Sequence, residues 1–120
     1  MFTMTTTTLQ LLAALALTFA APAAASNRGE ITFFEPGLGA CGQTHGAHDM
    51  ITAVSKHRYD GHDVCGGRIR VRGRNGDAIV TVVDRCEACA YNDLDLSPAA
   101  FQQAIGDLGI GRTEANWEWI

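Results

Sequence analysis

The sequence predicts a small, mainly β domain closed as a barrel, with one short helix. Three observations point there. Short apolar or alternating runs recur between turn residues, thirteen glycines are spread along the chain, and only one segment has helical periodicity. Many short strands with frequent glycines suit a barrel better than a sandwich of long strands.

The domain does not fill all 120 residues. Leu9 to Ala21 is an almost unbroken apolar run, and Ala23-Ala24-Ala25 offers small residues for a signal peptidase. The run is short for a membrane span, so residues 1–25 are expected to be a secretory signal, although no Lys or Arg precedes the run. No second apolar run follows, and neither a membrane span nor a lipid-anchor tail is expected. Residues 26–120 then form one domain, small enough to bury only about 60–65% of its unfolded surface. Its localisation is expected to be extracellular. The net charge of -4 argues against nucleic acid as a partner.

Ile31-Thr32-Phe33-Phe34 reads as a short strand, broken by Glu35-Pro36-Gly37-Leu38-Gly39. Met50 to Val54 is a second strand, and Lys56 to Val64 is polar and loop-like. Arg68 to Arg72 alternates with period two, with Ile69 and Val71 facing the core. Asn75-Gly76 predicts a hairpin because both positions tolerate positive φ. Ala78 to Val83 is the return strand, apolar on both faces and therefore central. Ser97-Pro98 opens a helix whose apolar face is Phe101, Ala104, Ile105 and Leu108. Ala115, Trp117 and Trp119 alternate with Glu114, Asn116 and Glu118 in a last strand.

In an exported chain, four cysteines read as disulfides. Cys86-x-x-Cys89 could be a redox pair, half of a zinc site or a local staple. The loop after it does not suit a redox helix, and Cys41 and Cys65 do not form a second close pair for zinc. Three pairings are possible; Cys41–Cys65 with Cys86–Cys89 is the one expected. Asp84 ends an apolar strand and Asp95 lies just before the helix, on either side of the Cys86–Cys89 loop. If the fold brings them together they make an acidic groove suited to sugar chemistry; otherwise they are a strand end and a helix entry. Tyr91 could stack on a sugar ring or pack its own loop. Trp117 and Trp119 suit the core better than a binding platform. Arg68, Arg70, Arg72 and Arg74 form a basic stripe that could hold an anionic polymer, but a solvated strand face that prevents edge pairing fits better. His45, His48 and Asp49 have ligand spacing without a further ligand, so no metal and no cofactor are expected.

Phe33-Phe34, Gly37-Leu38-Gly39-Ala40-Cys41-Gly42, Cys65-Gly66, Val83-Asp84-Arg85-Cys86-Glu87-Ala88-Cys89, Leu94-Asp95-Leu96-Ser97-Pro98-Ala99-Ala100-Phe101 and Trp117, in that order, resemble the small secreted double-psi β-barrel proteins. That group takes in rare lipoprotein A-like domains, the first domain of expansins, barwin and the glycoside hydrolases of family 45. The nearest likeness is to compact four-cysteine fungal and actinobacterial members. The resemblance implies a six-stranded double-psi barrel with an open groove. It makes Asp95 the counterpart of the aspartate on which wall loosening depends in expansins, and of the general acid in the hydrolases. Asp84 would line the same groove. The chain departs from the pattern in three places. Phe34 stands near the place of an expected first-strand threonine, Cys86 stands where an aromatic follows the first aspartate, and Glu35 is a poor match for a catalytic base.

The function expected is binding of cell-wall polysaccharide through Asp84, Asp95 and Tyr91, by a monomer and without hydrolysis. One alternative is a protein-binding module, such as a cysteine protease inhibitor or secreted effector, acting through Gly42 to Asp49 and Lys56 to Val64. Another is a glycan-cleaving enzyme, hydrolase or lytic transglycosylase, with Asp95 as the candidate catalytic residue.

Overall fold

A computed structural model describes residues 25–120; the expected signal, residues 1–25, lies outside it but for its last residue. The elements are β1 (Asn27–Phe33), β2 (Ile51–Ser55), α1 (Lys56–Tyr59), β3 (Arg68–Gly73), β4 (Gly76–Cys86), β5 (Leu94–Leu96), α2 (Pro98–Ala104), a 3-10 turn (Leu108–Ile110) and β6 (Thr113–Trp119). The strands close into a barrel in the order β1-β5-β2-β4-β3-β6. Two pairs are parallel, β1 with β5 and β2 with β4, and the rest are antiparallel. This is the six-stranded double-psi barrel with one main helix.

Inward residues of every strand meet in one core. Ile31, Val54, Ile69, Val71, Val80, Val82, Leu94, Leu96 and Trp117 are fully buried and pack with Phe101 and Ile105 from the α2 segment. The alternation in β3 is as the sequence predicts: Ile69 and Val71 are buried and Arg68 and Arg72 exposed. α2 is capped by Ser97, whose hydroxyl accepts the Ala100 N–H at 3.2 Å, and Pro98 occupies its first turn.

Several expectations need correction. α2 ends at Ala104, so Leu108 lies on the 3-10 turn that follows and not on the helical face. β4 is central, yet its first half is buried on one face only, and Ile79 points to solvent. The hairpin turns at Arg74-Asn75, and only Gly76 has positive φ. Asn75 is there for another reason: its backbone N–H and side-chain amide donate to the carbonyls of Ala104 and Gln102, docking the turn on the end of α2. The Lys56 to Val64 segment holds a one-turn helix, capped by Ser55. Finally, Leu94–Leu96 is a strand in its own right, so Asp95 is a strand residue and not part of the helix entry.

Both cysteine pairs are disulfides, Cys41–Cys65 and Cys86–Cys89. The first spans 24 positions and restrains the unfolded chain far more than the second, which spans 3. Replacing both Cys41 and Cys65 by Ser is expected to lower the unfolding free energy by about 2–4 kcal/mol in urea titrations, with a smaller loss for the Cys86–Cys89 pair. An equal or larger loss for the short bridge contradicts this ordering.

Candidate functional site

The site grows out of strand register. β5 lies between β1 and β2, pairing Asp95 with Thr32 on one side and with Ala53 on the other. β2 in turn pairs Ala53 with Asp84 of β4. Paired residues of neighbouring strands share a face, so Thr32, Asp95, Ala53 and Asp84 form one row across four strands. With strands about 4.8 Å apart, the Cα atoms of Asp95 and Asp84 are about 10 Å apart. The flanking residues Ile31, Leu94, Leu96 and Val54 point the other way, into the core.

Asp84 joins this row because of a β-bulge. The β2–β4 register moves from Thr52↔Val82 to Ala53↔Asp84, leaving Val83 as the extra residue. In unbroken register Asp84 would face Val54 and turn inward. A loop holds the bulge. The N–H of Cys41 donates to the Val83 carbonyl at 3.2 Å, and that of Ala40 to Asp84 Oδ1 at 2.9 Å. The loop comes this close because position 39 is glycine: a Cβ there would lie 2.4 Å from the Val83 oxygen.

Asp95 is half-buried. Its Oδ1 accepts the Thr32 hydroxyl at 3.0 Å, and its backbone carbonyl accepts the Thr52 hydroxyl at 3.0 Å. Burial pushes the Asp95 carboxyl above the usual carboxylate range; the Thr32 hydrogen bond and the positive charge of Arg112 oppose this, and the negative charge of Asp84 adds to it. It opens on a cleft of about 600 Å³, lined also by Glu30, Thr32, Phe33, Asp93, Arg112 and the Cys86–Cys89 loop. Phe33 stacks its ring 5.1 Å from that of Phe101.

The other carboxylates that line the cleft, Glu30 and Asp93, each have a protein partner. Glu30 pairs with Arg112. Asp93 accepts the Glu30 N–H on Oδ1 and the Ala90 N–H on Oδ2. Asp84 does not line the cleft, and its Oδ1 also accepts the Arg85 N–H at 2.8 Å. Its charge reaches Asp95; its side chain faces the loop. Glu35 is exposed and outside the cleft. Asp95 Oδ2 therefore has no protein hydrogen bond among the described residues.

Tyr91 lies elsewhere, in a pocket with Arg58 and Trp119. Trp117 is fully buried, its indole N–H donating to the Asn92 carbonyl at 2.8 Å. In the arginine stripe, Arg70 and Arg72 both meet Glu118, and Arg74 donates to the Ile105 carbonyl. His45 and Asp49 line a third pocket without His48, and no group of three or more His, Cys, Asp or Glu is arranged for a metal among the described residues.

Sequence reasoning overlooked Thr32. It, and not Phe34, is the first-strand residue beside Asp95, across a separation of 63 positions. The signal was present: Ile31-Thr32-Phe33 and Leu94-Asp95-Leu96 are both apolar–polar–apolar triplets, and they pair in register. Glu30, Asp93 and Arg112 were also missed; they reach the cleft through β1, the β4–β5 loop and the segment before β6.

No protein-family model matches the chain. It is 30% identical over 95 residues to an "Allergen Asp f 7 homolog" of Arthroderma benhamiae, covering 73% of this chain and 33% of that protein. The chain spans well under half the length of the curated relatives it matches. Among solved structures, a point-substituted expansin of Clavibacter michiganensis in complex with cellohexaose aligns with TM-score 0.73 and 29% identity, over 80% of this chain and 50% of that one. Streptomyces papain inhibitor aligns with TM-score 0.71 and 25% identity, over 82% of this chain and 97% of that one.

The Asp95 environment has a consequence for stability. Its carboxyl is raised in the fold, so folding favours the protonated form. At a pH below the ordinary aspartate value both folded and unfolded chains hold the proton and nothing is lost; stability falls as pH rises through that value and then through the raised one. Asp95→Asn removes the charge and retains an oxygen acceptor for Thr32. It is expected to melt above the wild type at pH 7 and level with it at pH 3. A lower melting temperature at pH 7 contradicts this reading.

Proposed function

We propose that this chain, a member of the small double-psi β-barrel family to which the expansins belong, binds a cell-wall polysaccharide in the Asp95 cleft without cleaving it. One observation carries the reading: an open cleft in which Asp95 Oδ2 has no protein hydrogen bond among the described residues, while its Oδ1 is backed by Thr32. Such a group exchanges hydrogen bonds with sugar hydroxyls. Protonated it donates, ionised it accepts, and the Thr32 bond holds it in place. A glycan chain seated there would trade contacts with its neighbours in the wall for contacts with Asp95 and Thr32.

Hydrolysis with inversion needs two carboxyls roughly 6.5–9.5 Å apart with a water between them, one as acid and one as base. Each candidate for the base has a protein partner or lies outside the cleft: Asp93 and Asp84 accept backbone N–H groups, Glu30 pairs with Arg112, and Glu35 is on the surface. The likeness to an expansin carrying cellohexaose supports a β-glucan ligand. The two disulfides support an oxidising, extracellular setting. β1 starts at Asn27, so a cut after Ala25 would leave a barrel of residues 26–120 intact.

A second reading, inhibition of a papain-type protease, is favoured by the alignment with nearly the whole of Streptomyces papain inhibitor. The loop tied down by Cys41–Cys65 carries Leu38, 75% exposed, as an apolar tip.

Pull-down on insoluble cellulose, chitin and peptidoglycan separates these readings. The wild type is expected to bind at least one of them and release no reducing ends, and Asp95→Ala to bind about tenfold more weakly, a change of about 1.4 kcal/mol. Binding unchanged by Asp95→Ala contradicts the cleft reading. Inhibition of papain that survives Asp95→Ala favours the second one.

A further inference from the structure

We propose that the pocket between Tyr91 and Trp119 is a second sugar-binding site, taking up a glycan chain where it leaves the Asp95 cleft. This rests on the polysaccharide reading. The Asp95 cleft has one weakness as a sugar site: Phe33 is its only aromatic, and that ring packs against Phe101. Two large aromatics line a separate pocket, one of them a residue of the Cys89–Asp93 loop. There Tyr91 and Trp119, with Arg58, His62, Asp63 and Val64, line a pocket of about 340 Å³.

Tyr91 is 55% exposed, and its exposure is built in. The Arg58 guanidinium lies 3.9 Å from the centre of its ring and 4.8 Å from that of Trp117. The same guanidinium donates to the Tyr91 carbonyl at 2.7 Å and to the side chains of Asn92 and Asn27 at 2.6 and 3.2 Å. The loop beneath is closed by Cys86–Cys89, by the Ala90–Asp93 hydrogen bonds and by the Trp117 indole on the Asn92 carbonyl. A ring held on one face by Arg58 and still more than half exposed loses little entropy when a ligand stacks on it. Trp119 is held edge-on to Trp117, with ring centres 5.6 Å apart.

The chemistry around these rings fits a sugar. Aromatic faces receive the C–H faces of a pyranose, and convergent polar groups fix its hydroxyls. Arg58 gives its Nε and Nη2 to Tyr91, Asn92 and Asn27, which leaves its Nη1, with His62 and Asp63, to serve hydroxyls as donors and acceptor. The two sites also adjoin. Cys89 and Asp93 line the Asp95 cleft, and Tyr91 is two residues from each, so its Cα lies at most about 7.6 Å from theirs. A chain of several sugars crossing the loop would touch both.

The test follows backbone and aromatic-ring NMR signals during titration with cellohexaose, for the wild type, Tyr91→Ala and Tyr91→Phe. Shifts at Tyr91 and Trp119, with affinity about tenfold weaker in Tyr91→Ala and near wild type in Tyr91→Phe, are expected. Shifts at these rings without any at Thr32 and Asp95 would keep this site and overturn the cleft reading. Shifts confined to Thr32 and Asp95 would overturn this site and keep the cleft. No shifts at all, or a Tyr91→Ala variant that binds sugar normally and fails only against papain, would overturn the proposal.

Discussion

The placement of β5 is the constraint on which the rest depends. Three residues long, it pairs in parallel with β1 and antiparallel with β2, and so it fixes what stands on each side of Asp95. Leu94 and Leu96 anchor it in the core, which leaves Asp95 the outward face. A slip of one residue would bury the carboxylate and expose two leucines, so packing enforces the register that builds the site. The Val83 bulge does for Asp84 what the short strand does for Asp95.

The same geometry separates the two aspartates in role. Asp95 keeps an oxygen free, in a half-buried setting that raises its carboxyl above the usual range. Asp84 secures the loop tied to Cys65 and contributes charge at a distance. The Asp95 carboxyl and the Thr32 hydroxyl together make a hydrogen-bonding site. On the neighbouring loop, Arg58 orders Tyr91.

Legibility in the sequence followed the range of the interactions. β3 and α2 were readable because their signals are local: alternation at Ile69 and Val71, and a Ser97-Pro98 cap ahead of an apolar face. β1 was cut short at Ile31 because Asn27-Arg28-Gly29-Glu30 carries no apolar pattern; β6 recruits it by pairing. β5 was too short to register as a period. Asn75 looked like a positive-φ turn residue, and only the distant end of α2 reveals its purpose. At the site, Asp95 stood out by motif, whereas Thr32 emerges only once a parallel pairing spans 63 positions. For Tyr91 the sequence leaves sugar stacking and loop packing both open, and nothing local indicates that Arg58 draws it into a separate pocket.

The most direct measurement is a carbon-13 NMR titration of the Asp95 carboxyl with and without cellohexaose. If Asp95 carries the free oxygen that meets the sugar, it titrates above the ordinary aspartate range alone, and its midpoint or chemical shift changes when the oligosaccharide is added. An ordinary midpoint that the sugar leaves untouched would contradict that role.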